Sequence, residues 1–204
     1  MKKILKSMLL IVAAGFCATG VAQESKPFGM TMGMSKQEVI KALKGTRITE
    51  INEMSFMSGT AIERSSFFTR YIYTITPETG LCLVSSLSDG FTGISSVMQR
   101  YRVVKEALTS KYGQTSMSVE RGVNTTFPIR PAIDQGFTEI ADMWGVKADK
   151  NGKPQYTAVS DTLLYLALGV SPSGDNEAVV ILTYAFRNFE KCNEIMIKNN
   201  AKGL

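Results

Sequence analysis

The chain has 204 residues, with 23 Lys+Arg against 18 Asp+Glu, three cysteines and no histidine. Without imidazole, Ser-His-Asp and Cys-His mechanisms and histidine-based zinc sites are excluded. The pI near 9.1 owes much to Lys2, Lys3 and Lys6; without them the balance is 20 against 18, which gives no electrostatic pull toward nucleic acid.

Those lysines open a basic segment, followed by an apolar run over 8–17 and the small residues Ala18-Thr19-Gly20-Val21-Ala22. A basic start, a short apolar stretch and small residues before a polar boundary predict a cleavable export signal over 1–22, with Gly20 and Ala22 in the peptidase pockets. The run is shorter than the roughly 20 residues a membrane-spanning helix needs, so retention as an anchor is disfavoured. Phe16 before Cys17 stands where a lipid-modified cysteine needs a small residue. The expectation is a periplasmic or secreted protein of the bacterial envelope, with residues 23–204 as one domain and no transmembrane segment in the mature part.

Ser35-Lys36-Gln37-Glu38 is a capping box, and the helix it starts presents Val39, Ile40 and Leu43 before stopping at Gly45. Strands are predicted over 47–52, 66–75 and 81–87, the last two joined by the turn Pro77-Glu78-Thr79-Gly80. Val97, Tyr101, Val104 and Leu108 line one face of a helix over 96–112, closed by Gly113. A strand near 116–121 and a surface loop over 122–135 follow. The pattern then predicts a meander of strands 137–148, 157–170 and 178–187. Asn151-Gly152 makes its first turn, and 171–175 its second. A closing helix over 188–199 buries Phe189, Cys192 and Met196. This order predicts an α+β fold with helices packed on an antiparallel sheet and two degenerate helix-plus-meander halves.

Gly33-Met34-Ser35-Lys36-Gln37-Glu38-Val39, with Leu43 and Gly45, resembles the opening of exported proteins in two groups. These are the small outer-membrane-assembly lipoproteins and the β-lactamase-inhibitor-protein-like superfamily; Lys111-Tyr112-Gly113 is similar to helix ends in uncharacterised periplasmic proteins. The resemblance spans about fifteen residues. It implies helices on an antiparallel sheet and a role in binding other proteins. The chain lacks a lipid-attachment cysteine and has one cysteine per half, so no particular target carries over.

Cys82 and Cys192 remain after signal removal, and they either pair in an oxidising compartment or stay as separate buried thiols. No G-x-S-x-G, P-loop or dinucleotide-binding pattern occurs, and no cofactor is expected. If Asn151-Gly152 forms a two-residue turn, Asp142 lies opposite Asp161 with Trp144 on the same face. That pair is the candidate acid/base couple of an envelope hydrolase; a longer loop would change the register and solvate both aspartates. Met30, Met32 and Met34 alternate, which on a strand would align three thioethers for Cu(I) or turn them into the core. The leading expectation is a non-enzymatic binding protein whose partner is another protein or envelope component. The loop over 122–135 and an exposed side of Trp144 are its expected contact surface.

Overall fold

The computed structural model describes residues 25–123, 128–174 and 176–201, without the side chain of Asn200; the predicted signal over 1–22 lies outside the described residues. The chain enters through a short 3-10 turn, Pro27–Gly29, into helix α1 (Lys36–Ala42). The capping box forms as its sequence requires: the Ser35 hydroxyl accepts from the Glu38 amide at 3.3 Å, and the Ser35 amide donates to the Glu38 carboxylate at 2.7 Å. These bonds to Ser35 hold the Glu38 carboxyl below its ordinary value. Val39 and Leu43 then point into the core.

Four strands follow, β1 (Ile48–Asn52), β2 (Ser55–Ser58), β3 (Arg70–Thr76) and β4 (Gly80–Leu87), each antiparallel to the next. Helix α2 (Ile94–Tyr112) buries Val97, Met98, Tyr101, Val104 and Leu108, the stripe that a 3.6-residue period dictates. Beyond it lie β5 (Met117–Arg121), helix α3 (Ile129–Asp134), β6 (Glu139–Trp144), β7 (Val146–Ala148), β8 (Pro154–Tyr156), β9 (Leu163–Ser173), β10 (Glu177–Phe186) and helix α4 (Phe189–Ala201). Eight strands make one sheet in the order β1-β2-β3-β4-β10-β9-β6-β5, while β7 and β8 form a separate ribbon. The fold is α+β. Each half is a helix followed by four sheet strands, and the last strands of the two halves, β4 and β10, pair at the centre.

Alternation along the strands separates two faces. On one, a row runs Phe56, Tyr73, Val84, Tyr184, Leu166, Trp144 from β2 to β6, and every member is buried. Residues of α1, α2 and α3 pack on this face in one continuous apolar cluster. On the other face lies α4, tied to β4 by a disulfide between Cys82 and Cys192, whose Cα atoms are 6.3 Å apart. Of the two alternatives left open for these cysteines, pairing is the one that forms.

Among the described residues, the segment predicted as a loop over 122–135 contains α3, whose Ile129 and Ala132 are buried. The predicted strand over 137–148 breaks at Gly145. Its φ of +77° lies in the left-handed region, and an added Cβ would sit 2.6 Å from the Thr157 carbonyl oxygen and 2.7 Å from that of Leu164. The chain turns out of the sheet there. Asn151-Gly152 does close a hairpin, but only between the short β7 and β8.

Candidate functional site

The excursion at Gly145 decides the carboxylate pair. Strand β6 pairs with β9 in the register Asp142 to Leu168, so Asp142 does not face Asp161, which is exposed in the turn before β9. The expected couple is not formed because six residues separate the hairpin from the start of β9. Trp144 is also not a contact surface: it is 2% exposed, and its Nε1 donates to the Gly113 carbonyl at 2.8 Å, locking β6 to the end of α2. The methionines do not align either. They follow the 3-10 turn rather than a strand, with Met30 fully buried, Met32 exposed and Met34 accepting from the Thr31 amide through its sulfur.

Asp142 has a structural setting instead. It occupies a core-facing row with Tyr71, Ser86, Leu182 and Leu168, and is 1% exposed. Tyr101 donates to its Oδ2 at 2.6 Å and Lys105 approaches the same oxygen at 2.7 Å; both project from α2, one turn apart. Burial alone would push this carboxyl up. The hydrogen bond from Lys105, the polar contact from Ser118 on β5, the hydrogen bond from Tyr101 and the lysine charge together outweigh burial and hold it below the usual aspartate value. Burial, followed by the bond to Asp142, pushes the Tyr101 phenol up. Oδ1 closes no hydrogen bond of its own. The cluster pins α2 to β6 within the core and presents no reactive pair to solvent.

The second sheet face carries the larger feature. Its first row, Ser55, Thr74, Leu83, Ala185 and Tyr165, runs beneath α4. Phe189 packs on Tyr165, Cys192 bonds Cys82, and Asn199 reaches Met54. The next row crosses all eight strands: Thr49, Met57, Ile72 and Ser85 continue as Thr183, Ala167, Met143 and Met117. A third runs Arg70, Leu87, Ile181, Gly169, Ala141, Val119. No member of these two rows is buried. The Ser85 and Thr183 hydroxyls bond each other at 2.9 Å, which leaves the centre of the face without an unmatched polar group.

Seven strand-to-strand steps of about 4.8 Å give the longer of the two open rows a span of about 34 Å. Apart from Arg70, their side chains are apolar or small. They include no carboxylate; at the far edge Glu139 is paired with Arg121. At the β1 end, Arg47, Arg64 and Arg70 gather around a pocket of about 480 Å³ with Thr49 and Met57. Among the described residues no three metal-ligating His, Cys, Asp or Glu side chains cluster, and no helix is long and apolar enough to cross a membrane.

An α+β fold with a one-sided core and an open second sheet face is the class that the geometry defines. Comparison with protein-family models, curated proteins and solved structures finds no match to the chain.

Proposed function

We propose that the chain is an exported, non-enzymatic binding module that docks a protein partner on the open face of its eight-stranded sheet. The observation that carries this reading is the pair of rows without a buried member: apolar side chains on seven of the eight strands, beside a helix packed on the first row. Contiguous exposed apolar surface beyond a few hundred Å² is uncommon on a monomer that works alone and marks interaction sites. The partner it fits has an apolar patch with an acidic border, because the face has arginines at one end and no free carboxylate in its open rows. The disulfide supports an oxidising compartment, as an export signal requires. The two helix-plus-meander halves support the resemblance to the inhibitor-protein-like superfamily, which binds other proteins.

Site-specific photo-crosslinking tests the reading. A crosslinker at Ala167 or Ile181 should capture one defined protein in the envelope, and the same group at Glu106 on the outer side of α2 should not. The Ala167→Arg substitution, on a protein that still melts cooperatively, should abolish capture at Ile181. Equal labelling from both sides, or none from the sheet, refutes the docking face.

A further inference from the structure

We propose that Arg47, Arg64 and Arg70 form a binding pocket for a small organic oxyanion bearing at least two negative charges, a phosphomonoester or a polycarboxylate. Three independent stretches supply the arginines that line one pocket: Arg47 precedes β1, Arg64 lies on the connection between β2 and β3, and Arg70 begins β3. Arg70 shares the open face with Ile72 by alternation along the strand. No ion pair among the described residues uses any of the three arginines. Glu50, the acid on β1, is engaged by Lys36 at 2.9 Å. Among the described residues, the side-chain hydrogen bond from Arg70 is a long one, 3.4 Å to the Ser88 carbonyl.

Three like charges around one pocket repel each other unless a counter-charge enters. The guanidinium fork suits the paired oxygens of a carboxylate or phosphate, and Thr49, which also lines the pocket, carries a hydroxyl donor. At about 480 Å³ the pocket exceeds what a bare inorganic ion fills, and Met57 gives it an apolar wall for the organic part of a ligand. The pocket shares Thr49, Met57 and Arg70 with the edge of the docking face, and the two readings are tested separately: anion binding with no crosslinked partner, or the reverse, separates them.

Titration calorimetry of the purified protein with inorganic phosphate, glycerol 3-phosphate and citrate, at constant ionic strength, tests it. The expected result is saturable one-site binding by at least one of them, with the phosphates or the citrate preferred according to the natural source. Arg64→Met, at an exposed position where folding is not at risk, should weaken that binding about tenfold or more, as loss of a charge-assisted bond does. Arg70→Met should do the same, with circular dichroism reporting its fold. The absence of saturable binding by all three probes overturns the proposal, and so does binding that Arg64→Met leaves unchanged.

Discussion

Replacing Lys105 by methionine removes the cation that lets a carboxylate sit in the core. Asp142 is 1% exposed, and its Oδ2 receives both Lys105 at 2.7 Å and Tyr101 at 2.6 Å. Methionine keeps the length of the lysine stem along α2 but leaves the buried charge with only the Tyr101 phenol and the Ser118 side chain. Breaking a buried pair from one side costs about 3–5 kcal/mol, a large part of the roughly 5–15 kcal/mol that holds a domain together. With a urea slope of about 2 kcal/mol per molar, the unfolding midpoint should fall by about 2 M. Trp144 reports it well, as the single tryptophan, buried two residues from Asp142 on the same strand.

The pH dependence separates lost charge pairing from lost packing. In the parent, the folded carboxyl lies below the unfolded value of about 3.9. Its contribution is therefore complete above that pH and is lost as pH falls through the folded value. In Lys105→Met the strongest lowering influence is gone and burial pushes the carboxyl up, so the variant is hurt most at neutral pH. The gap between variant and parent should begin to shrink above about pH 4, as the raised carboxyl of the variant protonates, and go on shrinking below it as the parent's carboxyl follows. The double variant Lys105→Met/Asp142→Leu, which removes both charges, should recover most of the lost stability at pH 7. A Lys105→Met midpoint indistinguishable from the parent, or a deficit that is flat from pH 7 to acid, refutes the charge argument.

Two further perturbations test the architecture. The Cys82–Cys192 bond closes a separation of 110 residues, for which the chain-entropy account gives about 4–5 kcal/mol. Reduction, or Cys192→Ala, should therefore lower the melting temperature and open α4 to protease, and a melt insensitive to reductant contradicts this. Gly145→Ala forces a Cβ against two carbonyl oxygens at a left-handed backbone position, which should cost about 1–3 kcal/mol in a thermal melt, whereas an unchanged midpoint would show that the kink relaxes.

What could be read from residues alone follows the range of the forces involved. The capping box and the Val97-Tyr101-Val104-Leu108 stripe depend on neighbours within a few turns, and both form as predicted. Strand β2 did not stand out, because four residues, Ser55–Ser58, carry too little alternation. Helix α3 was hidden by Pro128 and Pro131, although its first turn tolerates them. The pairing of Asp142 required the register of β6 against β9. That register turned on one glycine kink, and a hairpin signal at Asn151-Gly152 cannot say how far the pairing extends beyond it.

The open face was illegible for a different reason. Met57, Ile72, Leu87, Ile181 and Val119 are as apolar as the residues that alternate with them, so the strands read as buried on both sides. Only one side is closed by helices; on the other, the disulfide fixes α4 across a single row. A chain with apolar residues on both sheet faces and a cover for one and a third of them departs from the usual agreement between pattern and packing. Such departures concentrate where function asks for them. The inference predicts an asymmetry: Ile181→Ser should leave the urea midpoint nearly unchanged, since its side chain is only partly covered, while Leu182→Ser, its core-facing neighbour at 3% exposure, should unfold the protein at markedly lower urea. Equal losses at the two positions would mean that the second face is packed in solution, and the docking surface would go with it.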